Sequence, residues 1–279
     1  MENKFCTLKK FVTVIITLFL GTLIKLFYDT NIIKINRVQF KTNKIPRGSK
    51  VSILQVSDLH NKVFGKKNKR LIQSVKEADA DIVVLTGDLI SRGTSEFNKV
   101  YDFIEMIKQI NQNVFYVTGN HEMTNDNLEE FINGLRDRGV VVLRNENRVV
   151  TIQHIDINLV GIDNESTNHE DMNGAFADVN QGNYTILLSH SPSVVNNYHS
   201  IKADLILSGH THGGQVRFPF VGAIIGPDRS LFPVLDKGVF KITTEQFLYI
   251  DSGVGTTGYP VRFLNQSQIS LIELKHEME

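Results

Sequence analysis

The stretch LILSGHTH, residues 205–212, decides the fold class, because an apolar run passes directly into a glycine and two histidines. Consecutive apolar residues are typical of a buried strand, and Gly209 allows a tight turn straight after it. Polar residues follow four other apolar runs in the same way: SILQV (52–56) precedes Asp58 and His60, IVVL (82–85) precedes Asp88, VFYV (114–117) precedes Asn120 and His121, and TILL (185–188) precedes His190. Since ligands bind at the carboxyl ends of strands in open α/β sheets, the sequence predicts a polar cluster at one sheet edge.

Segments with helical spacing lie between these runs. Residues 67–78, 95–110 and 125–138 carry apolar side chains three and four positions apart, and another apolar run, VVVL, occupies 140–143. Strands that alternate with helices indicate βαβ units, in which helices cover a sheet. The sequence therefore predicts an α/β fold, and 279 residues fit one large domain of this class or two small ones.

The composition is that of a globular protein, with 41% hydrophobic and 22% charged residues. The 30 basic residues balance the 30 acidic ones. Because proteins that neutralise nucleic-acid phosphates carry a basic excess, no nucleic-acid partner is expected, and a nuclease is disfavoured. The single cysteine excludes an intramolecular disulfide framework and a cysteine-rich zinc module. We expect a monomer.

The first 28 residues have the character of a membrane anchor. Residues 11–24 carry no charge, and the apolar character extends to Tyr28. Eighteen helical residues span roughly 27 Å, close to the thickness of a hydrocarbon core. The first alanine is Ala78, so no small-residue cleavage site follows the run. We expect an uncleaved single span over 11–28, with a buried N-terminal helix as the alternative.

The span predicts a single-pass protein of the cell membrane with three segments: the anchor over 1–28, a polar, basic linker over 29–50, and the catalytic domain over 51–279. Lys9 and Lys10 before the span favour a cytoplasmic N-terminus and an extracytoplasmic domain, although the basic residues of the linker weaken this asymmetry.

The polar residues at the predicted sheet edge suit divalent metal ions. Imidazole, carboxylate and amide ligands without thiolate fit Mn²⁺, Fe²⁺ or Zn²⁺. Each residue by itself could equally be a helix-capping aspartate or a surface histidine. Seven of them exceed the needs of one ion and fit two ions that share a bridging carboxylate.

The order of these motifs resembles that of the calcineurin-like metallophosphoesterase superfamily, D-x-H, G-D, G-N-H-[DE], H and G-H-x-H, over roughly residues 50–275. The runs GHTHGGQVRFP (209–219) and GTTGYPVRF (255–263) are similar to its YkuE-type membrane-associated bacterial branch. The resemblance implies the metallo-dependent phosphatase fold, a four-layer αββα sandwich of two packed mixed β-sheets flanked by helices.

The resemblance also implies residue roles and a mechanism. It assigns Asp58, His60 and His212 to a first metal ion, Asn120, His190 and His210 to a second, and Asp88 to a bridge between them. Two divalent ions, Mn²⁺ by preference and Fe²⁺ or Zn²⁺ as alternatives, would activate a shared hydroxide that attacks phosphorus. His121 would lie over the substrate phosphate and act as a general acid or stabilise the transition state.

One position departs from the family pattern. Many members carry a second aspartate three residues after the G-D aspartate, where it supports the catalytic histidine, but this chain has Ser91 there. Glu122 is a candidate to replace that carboxylate. Arg92 could contact the substrate phosphate, or it could be a solvated surface arginine.

The substrate is less defined than the reaction. Residues 213–235 form an apolar insertion that could be a lid over a lipid-linked phosphoester or a loop packed on the sheet edges. We expect a phosphodiesterase or pyrophosphatase acting on a cell-envelope or lipid-linked substrate, and the resemblance adds a UDP-2,3-diacylglucosamine pyrophosphatase-like hydrolase. The alternative from another class is an inactive metal-dependent binding module at the membrane.

Overall fold

Two six-stranded sheets pack face to face within residues 2–277, the part of the chain that the computed structural model describes. Residues 278 and 279 of the predicted domain lie outside this range. The strands are β1 Lys34–Thr42, β2 Lys50–Val56, β3 Ile82–Thr86, β4 Val114–Val117, β5 Val141–Val142, β6 Glu146–Ile152, β7 Ile155–Gly161, β8 Tyr184–Leu188, β9 Leu205–Ser208, β10 Arg217–Phe218, β11 Gly222–Ala223, β12 Gly238–Lys241, β13 Phe247–Ile250 and β14 Gln268–His276.

The first sheet has the order β1-β14-β2-β3-β4-β5, and the second has the order β12-β13-β9-β8-β7-β6. Both sheets are mixed: β2 to β5 are parallel, as are β7, β8, β9 and β13, whereas β14 pairs antiparallel with β2. Strands β10 and β11 form a separate hairpin.

Several of the helices lie on the outer faces of the sheets, and the first helix projects away from them. The helices are α1 Glu2–Asn31, α2 Lys69–Ala78, α3 Asn98–Lys108, α4 Asn120–Met123, α5 Leu128–Asp137, α6 Met172–Ala175 and α7 Val194–Asn197. The predicted helical segments at 67–78, 95–110 and 125–138 correspond to α2, α3 and α5, each shorter by a few residues. The predicted strand at 140–143 is shortened to the two residues of β5.

Three apolar cores separate the layers. The central core joins the inner faces of the sheets, where Ile53 and Val84 meet Leu159 and Leu207. A second core holds α2, α3 and α5 against the first sheet, and a third holds the short helices against the second sheet. The four-layer αββα sandwich of two mixed sheets expected from the sequence is therefore confirmed.

The folded domain begins earlier in the chain than the sequence predicted. The linker predicted over 29–50 is wrong for most of its length, because β1 pairs in parallel with β14 over nine residues and buries Phe40 in the central core. Its sequence KINRVQFKT has many polar residues because Arg37, Gln39 and Lys41 point away from the central core and are exposed, and charged side chains are common on edge strands. The domain therefore begins at the end of α1.

Helix α1 projects its apolar residues outward. The segment Cys6–Asn31 is long and apolar enough to cross a membrane, and none of its most apolar window is buried. Phe11, Leu18 and Ile24 are each more than half exposed. The alternative of a buried N-terminal helix is therefore wrong.

Candidate metal centre

The polar residues predicted from the five strand ends lie on tight turns at one edge of the two sheets. Asp58, Asp88, His210 and His212 have positive φ angles of 55°, 53°, 70° and 50°. Such backbone strain in residues other than glycine is concentrated at functional sites. A Cβ atom at Gly119 would lie 2.1 Å from Asp88 Oδ1, so only glycine permits the close approach of these two loops.

The first group consists of Asp58, His60 and His212, whose ligand atoms lie within 4.8 Å of one another. The Nε2 atoms of the two histidines are 3.0 Å apart, and His212 Nε2 lies 3.5 Å from Asp58 Oδ1. All three residues are buried. This is the set that the resemblance assigns to the first ion.

The second group consists of His190, His210 and Asn120, next to Asp88. His210 Nδ1 lies 2.9 Å from Asn120 Oδ1 and 3.2 Å from His190 Nε2. Asp88 Oδ2 lies 3.3 Å from His190 Nε2 and 3.6 Å from His60 Nε2. Asp88 therefore lies between the two groups, and all seven predicted residues come together.

The chemistry of these atoms fits divalent cations. His190 Nδ1 donates to the carbonyl of Thr86 at 2.8 Å, which leaves Nε2, beside His210 Nδ1 and Asp88 Oδ2, as the atom that would bind a metal ion. Acceptor atoms at such distances repel one another unless a positive charge lies among them. Burial lowers the pKa of His190, but the charge of Asp88 outweighs this effect and raises the pKa to about 10. The site therefore favours a bound cation.

The other histidines are held in the neutral form that binds metal ions. Burial lowers the pKa of His60 to about 4 and that of His210 to about 3. Burial also lowers the pKa of His212. Neutral imidazole is the form in which histidine serves as a metal ligand.

His121 lies beside both groups and differs from them in its contacts. Its Nδ1 accepts a hydrogen bond from the backbone N–H of Arg92 at 3.3 Å, and its Nε2 lies 4.0 Å from Asp88 Oδ2. Because Nδ1 accepts, the ring proton of the neutral form lies on Nε2. The carboxylate of the family pattern, missing at Ser91, would accept a hydrogen bond from Nδ1, whereas the backbone N–H of Arg92 donates one to it.

Among the described hydrogen bonds, none joins the Glu122 carboxylate to the His121 ring, so the predicted compensating role is not what the structure shows. Its buried carboxylate accepts hydrogen bonds from the backbone N–H groups of Asp88 at 2.9 Å, Ile90 at 3.1 Å and Gly119 at 2.9 Å. These contacts join the loop that carries Asp88 to the loop that carries Asn120. Glu122 therefore fixes the spacing of two predicted metal-binding loops.

Arg262 was not predicted as a functional residue, although it lies in the run GTTGYPVRF. Its side chain is fully buried and donates to the carbonyl oxygens of Ser252, Gly255 and His212. Burial lowers its pKa to about 10. The quoted run could have indicated this residue, but nothing in its spacing revealed that the side chain points inward.

A cavity of about 310 Å³ opens beside His210. Hydroxyl and amide groups of Ser191, Ser193 and Asn196 form one side, and the insertion supplies Asp228 and Val234 on the other. The insertion does not pack as a buried loop, because Phe220, Ile225 and Leu231 are exposed. Only its later part, between Pro227 and Leu235, lines the cavity.

Comparisons with known proteins agree with this geometry. The family described as calcineurin-like phosphoesterase matches residues 51–214. The chain is 25% identical to the uncharacterized metallophosphoesterase YkoQ of Bacillus subtilis, over 93% of this chain and 97% of that protein. It is 27% identical to YkuE of the same organism, over 89% of this chain and 88% of that protein. It is 26% identical to a transmembrane protein with metallophosphoesterase domain from Danio rerio, over 87% of this chain and 57% of that protein.

These matches confirm the resemblance drawn from the motifs, including its YkuE-like character, and they cover the residues of both histidine groups up to His212. The chain belongs to the calcineurin-like phosphoesterase family and is a metallophosphoesterase, a hydrolase that acts on phosphoesters.

Proposed function

We propose that this protein is a membrane-anchored phosphodiesterase that binds two divalent metal ions, Mn²⁺ by preference. The observation that carries the proposal is the position of Asp88, whose Oδ2 lies within 3.6 Å of one histidine from each group. A carboxylate between two sets of imidazoles is the arrangement that two cations share. Asp58, His60 and His212 would hold one ion, and Asn120, His190 and His210 the other.

Bound divalent ions would supply Lewis acidity and neutralise the phosphoryl oxygens. The protein contributes geometry, since the loops bearing Asp88 and Asn120 are joined by Glu122. His121 Nε2–H points toward the same space as the ligand atoms and would donate a hydrogen bond to a phosphoryl or leaving-group oxygen. The backbone N–H of Arg92 keeps the ring in this orientation.

The cavity beside His210 favours a phosphodiester over a pyrophosphate. Among its lining residues in the described chain there is no lysine or arginine, while Asp228 contributes a carboxylate. A second phosphate group would meet repulsion there, whereas a hydroxylated neutral substituent could bond to Ser191, Ser193 and Asn196. The side chain of Arg92 is exposed beside His121, where it would attract the substrate phosphate.

Membrane attachment forms the second part of the proposal. The exposed apolar surface of α1 would lie in the bilayer, and the catalytic domain would lie outside the cytoplasm with access to cell-envelope or lipid-linked phosphoesters. Protease added to intact cells should cleave the domain in this orientation. Full protection would place the domain on the cytoplasmic side and leave the chemistry unaffected.

The activity is tested with bis(p-nitrophenyl) phosphate and p-nitrophenyl phosphate, with Mn²⁺ and after chelation. We expect hydrolysis that requires the metal and a higher kcat/KM for the diester. Metal-loaded protein that hydrolyses neither ester would overturn the proposal in favour of a binding module. Faster hydrolysis of the monoester would contradict the choice of a diester.

A further inference from the structure

Helix α1 joins the catalytic domain without a flexible connection. Asp29 and Thr30 at its end are buried, and β1 begins three residues after the helix. The carbonyl of Asp29 accepts from Ser267 N–H at 2.7 Å, and Thr30 Oγ1 accepts from Arg262 N–H at 2.8 Å. The last turn of the apolar helix is therefore part of the domain, so the same face of the domain always surrounds the base of the helix.

That face carries a group of exposed apolar side chains. In the loop that holds Thr30, Tyr259 is 82% exposed, and Val261 and Leu264 are also exposed. The hairpin segment beside this loop adds Phe218, Phe220 and Val221, of which Phe220 is completely exposed. We call these six residues the apolar rim.

The apolar rim is continuous with the metal centre. Val216 forms a β-bridge with Phe263, and the rings of Phe218 and Phe263 lie 6.3 Å apart, so the loop and the hairpin form one surface. The hairpin follows His212 by only a few residues, and the carbonyl of His212 accepts a hydrogen bond from Arg262 at 3.4 Å. Whatever covers the rim therefore lies beside the catalytic residues.

We propose that the apolar rim docks onto the surface of the bilayer that α1 spans, and that it holds the metal centre at the level of the lipid headgroups. The inference rests on the membrane attachment proposed above and extends it to the choice of substrate. A phosphoester within a lipid headgroup would reach the site without leaving the bilayer, whereas a soluble ester would gain nothing from this contact.

The bilayer is favoured as the occupant by the geometry of the chain. Because no flexible linker follows Tyr28, insertion of the apolar helix into the bilayer brings the domain surface at the end of this helix to the membrane interface. Aromatic side chains such as Tyr259 and Phe220 suit the boundary between headgroups and acyl chains. Insertion of exposed aliphatic and aromatic groups removes apolar area from water at about 25 cal/mol per Å².

The chain contains no tryptophan, so single tryptophans can report on depth without background. Tyr259→Trp and Phe220→Trp place the reporter in the rim, and Phe19→Trp places it in α1. Val149→Trp is the matched control, because Val149 is 55% exposed on β6, an edge strand of the second sheet that is not part of the apolar rim. The full-length variants are reconstituted into phosphatidylcholine vesicles with brominated acyl chains, and the quenching of tryptophan fluorescence is measured.

We expect strong quenching for the rim reporters and for Phe19→Trp, and none for Val149→Trp. Rim reporters that stay unquenched while Phe19→Trp is quenched overturn the docking proposal but leave the anchor intact. Absence of quenching at Phe19→Trp overturns the anchor and the docking together. A third outcome is that the fluorescence of the rim tryptophans shifts to shorter wavelength as the protein concentration rises, without quenching by bromine. This result would identify a second copy of the chain as the occupant and would also overturn the proposal.

A kinetic measurement separates the docking from the proposed chemistry. The double variant F220S/Y259S should hydrolyse bis(p-nitrophenyl) phosphate at the wild-type rate but lose about tenfold or more on phosphatidyl-p-nitrophenol in vesicles. Val149→Ser serves as the control. Equal loss on both substrates, or no loss on the lipid, contradicts the docking. Failure of the wild-type protein on both substrates contradicts the proposed phosphodiesterase activity instead.

Discussion

The guanidinium of Arg262 donates to the carbonyl oxygen of Gly255 through both Nε and Nη2, at 2.9 and 2.7 Å. The N–H of Gly255 in turn donates to the carbonyl of Asp58 at 2.7 Å. Since Arg262 also reaches the carbonyl of His212, one buried side chain fixes two loops of the first histidine group. This positioning role has no direct contact with the proposed ions.

Arg262→Met should therefore weaken both folding and metal binding. It leaves buried carbonyl groups without donors, and each costs about 1–3 kcal/mol. We expect the free energy of unfolding, measured by urea denaturation, to fall by about 3 kcal/mol or more. The affinity for the first metal ion, measured without denaturant, should fall as well. Arg262→Lys should recover stability in part but not the metal affinity, because one ammonium group cannot span three carbonyls. The exposed Arg148→Met should change neither quantity.

Asp88→Asn should lower metal content and activity together. The substitution removes the only carboxylate that lies between the histidine groups in the described chain, and with it the charge that two ions would share. Metal analysis after saturation with Mn²⁺ should give two ions per chain for the wild type and one or fewer for the variant. The exposed Asp126→Asn is the control. Two ions retained by Asp88→Asn would show that this carboxylate is not the bridge.

His121→Ala should keep the metal content and slow turnover. Loss of a positioned proton donor costs roughly 10²–10⁴-fold. The loss should be smaller for p-nitrophenyl esters than for alkyl esters, since p-nitrophenolate leaves without protonation. Metal analysis and kcat on both ester types check this division. An emptied metal site in His121→Ala would mean that the histidine is a ligand.

Arg92 offers a way to separate backbone from side-chain effects. Arg92→Ala retains the N–H group that bonds to His121 Nδ1, so kcat should stay near the wild-type value. KM for anionic esters should rise several-fold if the guanidinium attracts the phosphate. A large fall in kcat with constant KM would instead indicate that the side chain acts in the transition state.

Much of the site follows from the sequence, because each of its residues stands just after a strand. Strand ends are local features, and parallel strands bring their carboxyl ends to one edge. The partners of His121 and Glu122 could not be predicted in this way, since backbone N–H donors leave no trace in the sequence. Arg262 was missed for a related reason: its acceptors are carbonyl oxygens, and its burial depends on loops from distant parts of the chain.

Strand β1 was missed because its pairing is non-local. It lies next to the anchor at the start of the chain, yet its partner β14 occupies the end of the described residues. As an edge strand with Arg37, Gln39 and Lys41 exposed on its outer face, it has the composition of a linker. Only Val38 and Phe40 mark the inner face, Ile35 packs against the core on the opposite face, and such short alternation is a weak signal.

This pairing leads to the last prediction, on where the chain can be cut. A chain that begins at Pro46 loses β1, leaves the edge of β14 unpaired and exposes core residues around the site of Phe40. A chain that begins at Phe27 keeps β1 together with the contacts of Asp29 and Thr30. Burial of a phenylalanine alone contributes about 2 kcal/mol, and the lost strand adds to this.

We therefore expect the chain from Phe27 to be soluble and to melt cooperatively, and the chain from Pro46 to aggregate or to melt about 10 °C lower, as followed by circular dichroism. The unpaired β14 edge would promote association between copies, because an open strand edge accepts another strand. Phe40→Ser in the longer chain is the matched variant, since it removes the core contact but keeps the strand. Equal melting temperatures for the two truncated chains would mean that β1 adds nothing to the stability of the domain and that the boundary at residue 51 was adequate.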